Sequence, residues 1–128
     1  MSSKILTVDD SRMVRLIVAK AFQPYGCDVF EASNGTEGLA TAEAIQPDLI
    51  YLDITMADMS GLDVLERLRQ TDHLKATPVV MLTAESGNNS IARADQLKVA
   101  GYISKPFKGE QLLAVASPLL KLDLAAAN

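Results

Sequence analysis

Cysteine and histidine are almost missing from this 128-residue chain: there is one of each, Cys27 and His73, and no tryptophan. A lone cysteine excludes an internal disulfide, so nothing fastens the fold covalently and a reducing compartment is expected. Positive charge is also scarce. Twelve Lys and Arg stand against sixteen Asp and Glu, a net charge of −4, which excludes general affinity for nucleic acid or an anionic membrane. No apolar stretch is long enough to span a bilayer, and "MSSKILTVDD" reaches its acids too soon for a signal peptide. Repeats, linkers and low-complexity tracts are lacking too. What remains is 48% hydrophobic and 22% charged, the balance of a compact folded protein. The expectation is one cytoplasmic domain over residues 1–128, with no output domain.

The apolar residues are organised in short runs: "KILTV" (4–8), "LIYL" (49–52), "VVML" (79–82) and "YI" (102–103). Near-continuous, β-branched runs of this length read as strands covered on both faces. "DVFEAS" (28–33) alternates instead, as a half-exposed edge strand would. Helical periods lie between them. Val14, Ile17, Val18 and Ala21 form one stripe, and Leu112, Val115, Ala116 and Leu119 another. Leu62, Leu65 and Leu68 form a narrower one, as do Leu39, Ala42 and Ile45. Ser11 is placed to cap the first helix, and Gly or Pro separates the elements. The alternation is (βα)₅, hence a doubly wound α/β fold with a five-stranded parallel sheet. Pro118 conflicts with the last helical stripe, which it should kink or end.

Ligands of such a sheet gather where strands end at their carboxyl edge. Asp9-Asp10 follows the first run and Asp53 the third, within "YLDITMADMSG". Thr83-Ala84 follows the fourth, and Lys105-Pro106 the fifth, within "GYISKPF". Three carboxylates in one cleft oppose each other's ionisation, and a hard divalent cation relieves this. Mg²⁺ suits oxygen ligands beside a phosphate, whereas the absence of His and Cys from these positions argues against zinc. Lys105 and the Thr83 hydroxyl are natural donors to phosphoryl oxygens. With Asp53 as the attacking carboxylate, the product is an aspartyl phosphate.

The ordered set "VDDS", "YLDITMADMSG", "LTAES" and "YISKPF" resembles the receiver domain of response regulators, most closely the single-domain kind that acts in chemotaxis. The resemblance implies the flavodoxin-like strand order 2-1-3-4-5. It implies that Asp53 accepts a phosphoryl group from the phosphohistidine of a histidine kinase or histidine phosphotransfer domain. Asp10, Asp53 and the Thr55 carbonyl would hold Mg²⁺ directly, and Asp9 mainly through water. Thr83 and Lys105 would hold the phosphoryl oxygens, across a cis Lys105-Pro106 peptide. Thr83 and Tyr102 would form the switch, and Thr55 and Glu85 would tune phosphate lifetime. The protein would phosphorylate and dephosphorylate itself without being an enzyme on other substrates. Its phosphorylated face, helix 4, strand 5 and helix 5, centred on Tyr102 and Ser104, would bind a downstream target such as the flagellar motor switch. Ala57 departs from the family, which often has Pro there.

Plainer readings exist for each residue. Asp10 alone is also a helix cap, Asp53 a loop acid, Lys105 a solvated lysine, Thr83 a strand end and Tyr102 a half-buried aromatic. His73 reads as an exposed loop residue at the far end of the sheet. "TAESGNNS" resembles a flavodoxin phosphate loop, but that loop would follow the first strand. Two other functions compete. A dehalogenase-type phosphatase needs an acid two residues after its nucleophile, where Thr55 stands. A phosphate-independent interaction module, or a relay intermediate outside chemotaxis, would share the fold.

Overall fold

The computed structural model describes residues 3–84 and 88–120. Five strands alternate with five helices: β1 (Lys4–Val8), α1 (Arg12–Phe22), β2 (Asp28–Ala32), α2 (Gly35–Ile45), β3 (Leu49–Asp53), α3 (Gly61–Gln70), β4 (Val79–Thr83), α4 (Asn88–Gln96), β5 (Gly101–Ser104) and α5 (Gly109–Ala116). The strands are parallel in the order β2-β1-β3-β4-β5, as expected. Consecutive side chains on a strand face opposite ways, so each apolar run feeds two cores. Leu6, Val8, Ile50, Leu52, Val79 and Met81 pack with α2, α3 and α4. Ile5, Leu49, Tyr51, Val80, Leu82 and Ile103 pack with α1 and α5. Each fully buried Leu or Ile contributes about 2 kcal/mol. Within the second core the Tyr51 hydroxyl donates to the Leu112 carbonyl of α5 at 2.7 Å.

Local chemistry starts the helices where they start. Ser11 Oγ accepts from Val14 N, Asn34 Oδ1 from Glu37 N and Ser60 Oγ from Leu62 N, each satisfying an N–H that the first turn leaves free. Gly35, Gly61 and Gly109 are the first helical residues rather than spacers between elements. A Cβ on Gly61 would fall on the Asp53 carbonyl oxygen, so packing demands glycine there.

Two expectations need correction. The last helix ends at Ala116 with Ser117 as its cap, so Pro118 follows the helix, where prolines are common. Leu119 and Leu120 instead turn back, their N–H groups donating to the Ala116 carbonyl. Strand β5 is an edge strand with one buried residue, Ile103, and is not covered on both faces. Helix α4 ends at Gln96 because Lys98 takes a left-handed φ of 59° and the chain turns into β5.

At the amino edge of the sheet, Arg69 of α3 donates to the carbonyls of Thr77, Leu97 and Lys98. This stitches α3 to the end of α4. Farther along α4, Arg93 pairs with Asp63 at 3.0 Å and Glu66 at 2.8 Å on α3. His73 is exposed in the turn after α3. Among the described residues, no helix is long and apolar enough to cross a membrane.

Candidate functional site

Register brings the acids together. Val8 of β1 pairs with Leu52 of β3, so the next residues, Asp9 and Asp53, leave neighbouring strands side by side. One carboxylate oxygen from each of Asp9, Asp10 and Asp53 lies within 4.8 Å of the other two. Asp9 is fully buried and Asp53 nearly so, while Asp10 is exposed.

Asp9 is held from all sides. Its N–H donates to the Ala32 carbonyl, its carbonyl accepts from Arg15 at 2.6 Å, and its Oδ1 accepts from Ser11 N at 2.9 Å. Oδ2 lies 3.0 Å from Lys105 Nζ but outside hydrogen-bonding geometry, which leaves it a buried acceptor without a donor. Lys105 Nζ also reaches Asp53 Oδ1 at 3.2 Å. One ammonium therefore bridges two buried carboxylates.

The titration behaviour follows from this crowding. Burial first, then the charge of Asp9, raises the Asp53 carboxyl above its ordinary value against the pull of Lys105. Burial alone would lower Lys105, but its contacts with Asp9 and then Asp53 outweigh that and raise it. Two carboxylates sharing one ammonium remain short of positive charge, and an unspent buried oxygen points to where more would sit. The donor set is all oxygen, which fits a hard cation such as Mg²⁺ and not a soft one.

The other expected residues fall around this centre. Thr83 ends β4, is buried, and accepts from Lys105 N at its carbonyl at 2.7 Å. The Lys105-Pro106 peptide is cis, as expected. Thr55 is exposed in the loop beyond β3, its N–H 3.4 Å from Asp53 Oδ1. Tyr102 is outside the acid cluster: its hydroxyl donates to the Asp95 carboxylate of α4. Burial first, and then this hydrogen bond, pushes its phenol up to about 12. Ser104 is exposed beside it, and Glu85 lies outside the described residues.

Three features have no counterpart in the sequence motifs. Arg15 braces the Asp9 carbonyl and pairs with Glu31 at 3.0 Å. Its place one turn beyond the acid pair is the available signal. Asp58 accepts from Gly35 N, Thr36 N and Thr36 Oγ1 at 2.8–2.9 Å, and these bonds, the Thr36 N–H foremost, hold its carboxyl down at about 2. Nothing local announces it, since both partners lie on α2. Third, Met13, Val14 and Ile17 of α1 border an apolar groove of about 310 Å³ with Lys105, Pro106 and Phe107. Met13 and Leu16 are the exposed large apolar side chains among the described residues, and they lie off the stripe that faces the core.

A parallel sheet wound on both faces, with acids and a lysine at the carboxyl ends of β1, β3 and β5, places its site at the β1/β3 switch in strand order, as doubly wound α/β proteins do. Residues 5–117 match the response regulator receiver domain, and the chain belongs to that family. It is 36% identical over 110 residues to "Chemotaxis protein CheY" of Pseudomonas aeruginosa, covering 85% of this chain and 89% of that one. It is 31% identical to "Protein PilG" of the same species, covering 86% and 82%. Among solved structures, chemotaxis protein CheY4 of Vibrio cholerae superposes with a TM-score of 0.87 at 32% identity, over 94% of this chain and all of that one. Other relatives are longer: the chain spans 15% of a sensor histidine kinase of Helicobacter pylori and about half of several transcriptional regulators.

Proposed function

We propose that this receiver domain is a switch thrown by phosphorylation of Asp53. The observation that carries the reading is the Lys105 ammonium bridging Asp9 and Asp53, both buried, with a third acid alongside. In the reaction an Asp53 carboxylate oxygen attacks the phosphorus of a phosphohistidine. The phosphorus–nitrogen bond breaks, the imidazole leaves with the electron pair, and an aspartyl phosphate remains. Bound Mg²⁺ would supply positive charge to the transferring oxygens, held by Asp10, Asp53 and the Thr55 carbonyl, with Asp9 behind them through water. Lys105 is released from bridging the acids to pair with a phosphoryl oxygen, and the Thr83 hydroxyl donates to another. Water attacks the same phosphorus later and resets Asp53, at a rate that Thr55 and Glu85 tune. Catalysis is confined to this self-modification.

The readout is the α4–β5–α5 face. Drawing Thr83 inward leaves space for Tyr102, whose bond to Asp95 ties it to α4 until then. Active conformers gain population only by their differential affinity for the phosphoryl group. The groove beside Lys105, lined by Met13, Val14 and Ile17, is an apolar surface adjoining the acids where the phosphodonor, a histidine kinase or phosphotransfer domain, docks. The similarity to CheY proteins supports a place in chemotaxis signalling, with the flagellar motor switch as target, and the cytoplasm as its site of action.

Intact mass after incubation with acetyl phosphate tests this. One added phosphoryl group on the wild type, requiring Mg²⁺ and absent from Asp53→Asn, is expected. No adduct on a folded wild type in Mg²⁺ would turn the reading toward a phosphate-independent module.

A further inference from the structure

The loop of residues 54–60 between β3 and α3 carries Thr55 and has two kinds of fastening. Its base is closed by contact: Gly61 N donates to the Ile54 carbonyl at 2.7 Å, and Gly61 sits against the Asp53 carbonyl with no room for a side chain. Its crown is fastened differently. Asp58 takes both free N–H groups at the start of α2, and the Thr36 hydroxyl as well. The Met59 side chain lies over Gly35, where a Cβ would collide with it. Among the described residues 55–59, Asp58 carries the hydrogen bonds that reach an element other than β3 and α3.

The location of this tie bears on the site. Residue 57 is Ala, whose φ no ring fixes, so the loop has no covalent stiffening there. A carboxylate at a helix N-terminus is favoured both by the free N–H groups and by the helix dipole. The sheet anchors α2 through Gly38, whose Cα lies against Val8 at the end of β1. The tie therefore runs from the loop to the strand that delivers Asp9 and Asp10.

We infer that Asp58 is a positioning residue: by pinning the β3–α3 loop to α2 it holds the Thr55 backbone beside the acid cluster, and so sets the affinity of that cluster for Mg²⁺. The inference rests on the cation role proposed above, and its test separates the two. Mg²⁺ binding to the intact protein is measured by calorimetry for wild type, Asp58→Ala, Asp58→Asn and Asn34→Ala, with urea unfolding alongside. Asn34→Ala removes a cap from α2 without touching the loop. Asp58→Ala is expected to weaken Mg²⁺ about tenfold, the effect of losing a supporting partner behind a ligand. Asp58→Asn, which keeps one acceptor oxygen, should fall between, and Asn34→Ala should bind as wild type does. In acetyl phosphate time courses, Asp58→Ala should need more Mg²⁺ for half-maximal rate while keeping its rate at saturation. Equal Mg²⁺ affinity in Asp58→Ala and wild type, or an equal loss in Asn34→Ala, would overturn the inference. So would a wild type that binds no Mg²⁺. A wild type that binds Mg²⁺ but takes no phosphoryl group would remove the switch function and leave the positioning role standing.

Discussion

Replacing Lys105 with Met removes the ammonium while keeping an unbranched stem for the apolar groove it lines. At 3.0 and 3.2 Å from Asp9 and Asp53, each contact is worth about 5 kcal/mol before desolvation, at an effective dielectric near 20. Much of that offsets the cost of burying the charges. Stranding a buried charge by deleting its partner costs about 3–5 kcal/mol, and the lysine keeps 22% of its side chain exposed, so the lower end applies. Lys105→Met should therefore lose about 3 kcal/mol at pH 7 in EDTA, a fall of ~2 M in urea midpoint for an m-value near 1.5 kcal/mol/M. Two conditions should narrow the gap. Saturating Mg²⁺ replaces the missing charge and stabilises the variant more than the wild type. Acid does the same, because Asp53, already raised, loses the opposing pull of Lys105, and protonating it removes the repulsion. A gap unchanged by Mg²⁺ and by pH would show that Lys105 is held for its stem, and that the acids do not depend on its charge.

Asp53→Asn should stabilise the metal-free protein. Asp53 is raised in the fold, so its proton-linked stability is full below the ordinary carboxylate value of 3.8 and is lost as pH rises through the raised value. The variant should gain on the order of 1 kcal/mol at pH 7 in urea unfolding, with no gain left below pH 3.8. Tyr51→Phe strands the acceptor side of a fully buried bond and should cost about 1 kcal/mol, read from the same curves. Asp95→Asn removes the carboxylate that accepts from Tyr102, so ultraviolet titration should find that phenol below its value of about 12. An unchanged titration would place the cause in burial alone.

Much of the fold is legible in the chain because its strands are buried on both faces. "LIYL" and "VVML" carry two cores at once, and a short run with no polar side fits little besides a strand enclosed between two layers. The site is equally legible, since a strand exit in a parallel sheet has a known direction and Asp9, Asp10, Asp53 and Lys105 all stand at exits. Illegible features depend on distance in sequence. Asp58 meets Gly35 and Thr36, and Arg15 pairs with Glu31, through contacts that no local pattern encodes. The end of α5 misleads for the opposite reason. Leu119 continues the helical stripe in period, yet Ser117 and Pro118 turn the chain before it, and local backbone chemistry overrides periodicity there.

The Arg69 clamp has a mechanical consequence for α4. Two of its three bonds fix the end of α4 where the chain turns at Leu97 and Lys98, and the third holds the Thr77 carbonyl before β4; the helix begins at Asn88, on the side of the sheet where β4 delivers Thr83. A rod about 13 Å long, fastened at its end by Arg69 and braced about one turn earlier by the Arg93 pairs with α3, answers a push near its other end by swinging about that fastened region. Displacement is then graded along α4, largest in its first turn and vanishing near Gln96. Asp95 stands close to this fulcrum, so the helix can tilt while Tyr102 moves little, and the two elements of the face need not change together. Amide exchange along α4 should slow steadily toward Gln96, and Arg69→Ala should flatten that gradient.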